Sequence, residues 1–85
     1  MSELYNIPIK LAEVTELNWN DKALYNVYHY LTFCGNKHAS IMTNEKICQM
    51  LGMALSTMRG SKKRLLDKGY IKTDGNTTVT ALIKF

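Results

Sequence analysis

Two helical patterns lie on either side of Gly52, and only a few residues separate them. The segment TNEKICQMLG carries a narrow apolar helical stripe that stops at this glycine, and a second helical pattern begins near Leu55. Glycine readily adopts the left-handed backbone conformation that ends a helix and reverses the chain. The sequence therefore predicts helices at about 43–51 and 55–68, joined by a tight turn, with Met53 in the core between them.

The second of these helices is strongly basic. Residues 55–72 contain six lysines and arginines against one acid, Asp67, so this segment carries a charge of +5. Residues 1–26 carry −2, and the whole chain carries +4. A concentrated positive charge of this kind favours a polyanionic partner. The alternative is a solvated helix end whose cations complement the helix dipole.

The basic helix also has a polar face. We expect Met58, Leu65 and Leu66 to be buried, with Ser61 on the same side. Serine and threonine can hydrogen-bond to bases or phosphates, and arginine can fork onto a guanine. The opposite face is therefore the candidate for reading DNA bases. Its residues are Leu55, Ser56, Thr57, Arg59, Gly60 and Lys63.

Gly60 is unusual on this face, because glycine in a helix interior costs roughly 1 kcal/mol relative to alanine. A position without a side chain can allow close approach to DNA. It can also be a tolerated weak spot, or a place where two helices pack closely. The sequence leaves these three explanations open.

Pro8 sets the character of the N-terminal region. Proline is excluded from helix interiors, and it pushes the preceding residue to an extended conformation. We expect residues 1–17 to form an arm, extended through Ile9, that can include a short helical turn around 11–17. The remaining residues, 18–85, are expected to form one domain.

The first clear helix is predicted at about 20–34. Asn18 or Asn20 can cap it, and Asp21 suits its first turn. Gly35 is expected to end it, since glycine commonly follows a helix. The apolar residues spaced along one helical face are Leu24, Val27, Tyr28 and Leu31.

The C-terminal segment YIKTDGNTTVTALIKF predicts a β-hairpin at 70–85. Its strands, at 70–73 and 77–85, are rich in β-branched residues, and Asp-Gly-Asn is a tight-turn signal. Leu82 is expected to face away from the other apolar residues of the second strand. Those that alternate onto one face are Val79, Ala81, Ile83 and Phe85.

The order of these elements is that of a winged helix-turn-helix. With a short strand within 38–42, the order is helix, strand, helix, tight turn, helix and hairpin. We therefore expect a mainly α fold with a small β component (α+β): three helices, a C-terminal hairpin wing and an extended N-terminal arm. In such a unit the second helix of the pair enters the major groove of double-stranded DNA.

Residues around this helix are expected to contact DNA as well. The wing tip can touch a minor groove, or the hairpin can simply close the core. The predicted phosphate contacts are Thr43, Asn44, Lys62, Arg64, Lys68 and Lys72. The predicted wing contacts are Gly75, Asn76, Thr77 and Thr78.

A family resemblance supports this interpretation. The segment TNEKICQMLGMALSTMRGSKKRLLDKGYI resembles the helix-turn-helix core of bacterial, phage and plasmid winged-helix proteins. The matching positions are Thr43-Asn44, Ile47-Cys48, Leu51-Gly52, Ser56-Thr57-Met58, Leu65 and Gly69-Tyr70-Ile71. The chain departs from the pattern at Ala54, where serine or threonine usually caps the helix, and at Lys62, which is often apolar.

The upstream segment NIPIKLAEVTELNWNDKALYNVYHYLTFCG resembles the lead-in of phage and plasmid replication-initiation and regulatory proteins. The resemblance implies a regulator, or a replication or partition accessory factor, of a mobile element. One alternative is the N-terminal DNA-binding module of a longer replication initiator. The other is a winged-helix module for protein–protein contact.

Other functional classes find little support in the sequence. Cys34 and Cys48 fit no zinc motif and are expected to be small buried residues. His29 and His38 lack the partners of a catalytic site, so we expect neither an enzyme nor a cofactor, metal or small-molecule ligand. No apolar run is long enough to span a membrane, and a cytoplasmic location is expected.

A homodimer is the expected state, because a lone domain of this size reads few base pairs. Two-fold pairing would place recognition helices roughly 34 Å apart on one side of the DNA. The N-terminal arm and the first helix are the surfaces we expect to pair.

Overall fold

Four helices and a two-stranded antiparallel sheet form the described part of the chain, which is residues 7–34, 43–74 and 78–83 of a computed structural model. The fold is therefore α+β and mainly helical, as the sequence predicted. The strand expected within 38–42 lies outside the described residues. The elements are α1 (Ile9–Ala12), α2 (Trp19–His29), α3 (Asn44–Leu51), α4 (Leu55–Asp67), β1 (Ile71–Asp74) and β2 (Thr78–Ala81).

Helix α1 corrects the prediction of an arm that is extended through Ile9. Pro8 is the N-cap residue of this helix, with φ −55° and ψ 142°. A proline at a helix start costs no hydrogen bond, because the first N–H groups of a helix have no intrahelical partner. The Pro8 carbonyl accepts a 2.9 Å bond from the Ala12 N–H, and Leu11 is fully buried. Residues 1–6 of the expected arm lie outside the described part of the chain.

Helix α2 begins one residue earlier than predicted because Asn18 caps it. The Asn18 side chain accepts a 2.8 Å bond from the Asp21 N–H, and the Asp21 carboxylate accepts a bond from the Asn18 N–H, which together make a capping box. The chain then continues in π-helical form over Tyr30–Cys34. The predicted apolar face is confirmed. Leu24, Val27 and Tyr28 are buried, and Leu31 is half-buried.

The turn between α3 and α4 follows the prediction. Thr43 caps α3 by accepting a 3.2 Å bond from the Lys46 N–H. Gly52 adopts the left-handed conformation, with φ 64° and ψ 36°. Met53 donates its N–H to the Cys48 carbonyl at 3.0 Å and is half-buried against the core. Cys48 is itself half-buried rather than buried, and the side chain of Cys34 lies outside the described atoms.

Helix α4 packs on α2 through a narrow buried stripe. Met58, Ser61 and Leu65 are each fully buried, as predicted. Leu66 corrects the prediction, because its exposed fraction is 38%. It follows Leu65 by one residue, which is about 100° around a helix, so it lies at the edge of the stripe rather than within it.

The hairpin has shorter strands than the sequence suggested. Ile71 pairs with Ala81 and Thr73 with Val79, and all but Thr73 are buried. Beyond β2, the Leu82 N–H bonds to the Tyr70 carbonyl at 2.9 Å, and the Ile83 N–H bonds to Tyr25 Oη on α2 at 3.0 Å. Ile83 is 40% exposed, so it does not share the buried face of Val79 and Ala81. Phe85 lies outside the described residues.

An ion pair joins the first turn of α2 to the second half of α4. Arg64 donates from Nε to Asp21 Oδ2 at 2.8 Å and from Nη2 to Asp21 Oδ1 at 2.9 Å. The Asp21 side chain is 1% exposed and that of Arg64 is 46% exposed. Bidentate pairs of this kind combine charge with a fixed geometry. The contact therefore sets the position of α4 on α2.

The pKa of Asp21 reflects its partners. Burial by itself raises the pKa of this carboxyl group. Hydrogen bonds from Arg64 and the Asn18 backbone, together with the positive charge of Arg64, outweigh burial and hold the pKa below its ordinary value. The carboxylate is therefore charged at neutral pH in the folded chain.

Asp21→Asn should lower the free energy of unfolding by about 1.5–3 kcal/mol at neutral pH, because a charge-assisted bidentate contact is lost. Urea unfolding of the variant measures this change. Asp67→Asn is the matched control, since Asp67 is an exposed carboxylate on α4, and it should cost no more than about 1 kcal/mol. Equal effects of the two substitutions would contradict a structural role for Asp21.

The stabilising effect of Asp21 should also depend on pH. A carboxyl group with a lowered folded-state pKa stabilises the folded chain above its unfolded value of 3.8, and this contribution is lost as the pH falls through the folded-state pKa. The gap in unfolding free energy between wild type and Asp21→Asn should therefore shrink in acid. A gap that stayed constant well below pH 3.8 would contradict this assignment.

Candidate nucleic-acid interface

The side of α4 opposite its buried stripe is polar and exposed. At about 100° per residue, positions spaced by four, three and four fall along one line of a helix. Ser56, Gly60, Lys63 and Asp67 have this spacing, and all four are exposed. We call these four residues the outer stripe. They lie opposite the buried side chains of Met58, Ser61 and Leu65.

The residues beside the outer stripe complete the predicted base-reading set. Thr57 and Arg59 are exposed on its two flanks, as predicted. Leu55 is half-buried, so it borders this face rather than belonging to its centre. Helix α4 begins at Leu55 after Ala54, and no side chain caps its start. The chemistry presented is that of short hydroxyl side chains and a guanidinium, which can bond to base edges.

The cations of the predicted base-reading and phosphate-contact sets differ in how strongly they are paired within the molecule. Lys63 Nζ lies 3.5 Å from Asp67 Oδ2, with both side chains exposed, so this pair is weak and easily exchanged. Lys68 Nζ lies 3.6 Å from Glu16 Oε1. Within the described residues, Arg59, Lys62 and Lys72 take part in no ion pair.

Arg64 has a different role from the one predicted. Two of its three guanidinium nitrogens bond to the buried Asp21 carboxylate, and this contact raises the pKa of Arg64. A phosphate would have to compete with that carboxylate for the same donors. We therefore remove Arg64 from the set of candidate phosphate contacts.

Glu16 is a further internal counter-ion that the sequence did not reveal. Its carboxylate accepts a hydrogen bond from the Tyr70 hydroxyl and also pairs with Lys68. The Glu16 bond is the main cause that raises the pKa of Tyr70 to about 12. The bend before α2 is thus tied to the end of α4. Asp21 was expected in the first turn of a helix, whereas no local pattern marks Glu16, because its partners are more than 50 residues away.

The start of α3 holds two further predicted contacts. Thr43 is exposed and Asn44 is half-buried, and both belong to the predicted phosphate set. Lys46 is exposed one turn on and was not predicted. The Lys46 N–H bonds to the Thr43 side chain, which places Lys46 in the first turn of α3. Its ammonium group would be available there to a ligand bound at α3.

The hairpin contributes one described candidate. Lys72 is exposed on β1. The predicted wing residues Gly75, Asn76 and Thr77 lie outside the described part of the chain, as does the side chain of Thr78.

Two exposed apolar side chains lie on the N-terminal elements. Ile9 is 75% exposed and Trp19 is 64% exposed. Lys22 Nζ lies 4.6 Å from the centre of the Trp19 ring and donates to the Ala12 carbonyl at 2.7 Å, which links α2 to α1. Eight of the eleven residues of α2 are buried. This helix therefore offers a partner only its first turn.

The described ranges contain neither a metal site nor a membrane-spanning helix. No group of three histidine, cysteine or acidic side chains in residues 7–34, 43–74 and 78–83 could hold a metal ion. None of the helices in these ranges combines the length and apolar character needed to cross a bilayer.

Comparison with known proteins adds no assignment. No family model matches the chain, and no curated protein or solved structure is significantly similar to it. Its function has to be inferred from its own residues and their geometry.

Proposed function

We propose that this chain is a winged helix-turn-helix domain that binds double-stranded DNA in a sequence-specific manner. Helix α4 would enter the major groove, and α3 would cross the DNA backbone. The biological role we propose, from the family resemblance, is that of a regulator or a replication or partition accessory factor of a mobile element.

The observation that carries this proposal is the composition of the face of α4 opposite the core. It combines Ser56, Thr57 and Arg59, which can bond to base edges, with Lys63, which can reach a phosphate. A helix exposed only for solubility does not require hydroxyl side chains, an arginine and a glycine on one face. The same helix ends in further cations, which adds a sequence-independent attraction to DNA.

The turn before α4 supports the helix-turn-helix assignment. Gly52 is left-handed, and only residues 52–54 separate α3 from α4. In such a unit the second helix is held by the first at a fixed angle, so its N-terminal residues can reach the bases. Ser56, Thr57 and Arg59 all fall within the first five residues of α4.

The proposed phosphate contacts are revised by the ion pairs. Lys62 and Lys72 remain, with Thr43 and Asn44 at the start of α3, and Lys63 is added from the predicted base-reading set. Lys68 remains as well, although Glu16 would compete for it. Arg64 is left out of the proposed DNA contacts, because its guanidinium group bonds to Asp21.

A homodimer is part of the proposal. The described surface that best supports it is the pair of exposed apolar side chains, Ile9 on α1 and Trp19 at the start of α2. Most of α2 is buried in the protomer, so the pairing surface we propose is narrower than the whole helix.

A second candidate function is a winged-helix module that binds an acidic protein. The partial exposure of Leu66 on the flank of α4 favours it, because an exposed leucine beside cations suits a mixed apolar and acidic partner. This alternative predicts DNA affinity that is weak and independent of sequence. Selection of bound duplexes from a random pool, followed by sequencing, separates the two functions.

Arg59→Ala should lower affinity for the duplexes selected by the wild type by about 1–3 kcal/mol, because one base contact is lost. Affinity for unselected duplexes should change much less. Binding titrations on both kinds of duplex, at several salt concentrations, measure the two effects.

Lys63→Ala is the matched control on the same helix. Loss of a phosphate contact should weaken binding to every sequence and reduce the slope of log affinity against log salt by about one unit. Base reading by Arg59 is refuted if its alanine variant behaves in this same uniform way.

A further inference from the structure

We propose that Gly60 is the point of closest approach between α4 and DNA, and that its missing side chain sets the depth at which the helix sits in the groove. This inference rests on the proposed function and deepens it. It assigns to one residue a positioning role that depends on the absence of atoms rather than on a contact.

The backbone of Gly60 does not require glycine. The glycines with positive φ in the described chain are Gly52, at 64°, and Gly69, at 82°. Both lie at helix ends, where that conformation reverses the chain. Gly60 instead lies in the interior of Leu55–Asp67 with ordinary helical geometry, which alanine adopts at lower free energy.

Packing inside the protein does not require glycine either. A Cβ atom placed at Gly60 would meet no atom of the described residues within 4 Å, apart from the adjacent backbone of its own helix. Close packing against another described helix therefore does not explain this glycine. What remains is either a tolerated weak spot or a constraint from a partner outside the protomer.

The position of Gly60 favours a partner. It is exposed in the outer stripe, one turn after Ser56 and one turn before Lys63. In a helix-turn-helix unit the N-terminal part of the second helix lies against the base edges, and Gly60 is the sixth of the thirteen residues of α4. Side chains extend a helix from a Cα radius of about 2.3 Å to an overall radius of about 5–6 Å, so a glycine there lets the helix move closer.

The residues beside Gly60 are suited to contact bases when Gly60 lies close to the DNA. Arg59 lies on one flank of the outer stripe, and Thr57 lies on the other. If the backbone at Gly60 approaches the base edges, these side chains can reach bases on either side of the contact. A larger residue at position 60 would keep both of these side chains away from the bases. It should therefore lower the affinity of the complex in which α4 lies in the groove.

Binding without groove insertion provides an internal reference. Sequence-independent binding depends on neutralising phosphates, and it does not need α4 to be seated deeply. A side chain at position 60 should therefore separate binding to selected duplexes from binding to unselected ones. A positively charged side chain at position 60 should separate the two kinds of binding most clearly, because added charge by itself would strengthen binding to selected and unselected duplexes alike.

Gly60→Ala is the first test. It should raise the melting temperature by about 4–8 °C, as expected for a helix-interior glycine replaced by alanine in a domain of this size. It should also lower affinity for wild-type-selected duplexes about fivefold or more, the cost of disturbing at least one base contact. A stabilised variant that binds these duplexes as tightly as the wild type would overturn the inference.

Gly60→Lys and Leu66→Lys form the second test. Both add one positive charge to α4, but Leu66 is a partly exposed residue on the flank and not in the outer stripe. Leu66→Lys should strengthen binding to selected and unselected duplexes alike. Gly60→Lys should weaken binding to the selected duplexes and strengthen binding to the others. Equal gains for the two variants on selected duplexes would overturn the inference.

The failure of this inference is distinguishable from failure of the proposed function. If the wild type selects a motif and Arg59→Ala loses affinity for it, the proposed function stands whatever the Gly60 variants do. If the wild type binds duplexes without any sequence preference, the proposed function fails and the role of Gly60 fails with it.

Discussion

The contact between Asp21 and Arg64 fixes which side of α4 faces outward. The Asp21 carboxylate is buried in the first turn of α2, and its two oxygens receive two guanidinium nitrogens from α4. A buried carboxylate without its partner would be costly, so rotation of α4 about its axis is opposed by charge as well as by packing. With Met58, Ser61 and Leu65 turned towards the core, the outer stripe has one orientation available.

The same kind of pairing redistributes the positive charge of the chain. The sequence concentrates its cations on residues 55–72, yet Arg64 and Lys68 face acids from the N-terminal region. The acids that make the N-terminal region negative thus act partly as internal counter-ions. The charge that stays available to a partner is concentrated near Arg59, Lys62, Lys63 and Lys72. This arrangement favours contact through the middle of α4 and through β1 over contact through the end of α4.

Local patterns predicted most of the fold but not the long-range partners. The left-handed turn at Gly52, the buried stripe of α4 and the polar face opposite it all follow from helical spacing and glycine stereochemistry. Pro8 was assigned to an extended arm because proline excludes a helix interior, but a helix start accepts it. Arg64 was assigned to DNA because no periodicity reveals a carboxylate 43 residues away. Gly60 stayed ambiguous until the space around it was known.

DNA contacts can be mapped directly on the isotope-labelled chain by nuclear magnetic resonance. A short duplex of mixed sequence would be titrated at low salt while the backbone amide signals are followed. We expect the largest changes over residues 55–63 of α4 and in the first turn of α3, with Gly60 among the most affected. Changes confined to the surface around Ile9 and Trp19, or no changes at all, would contradict a DNA-reading role for α4.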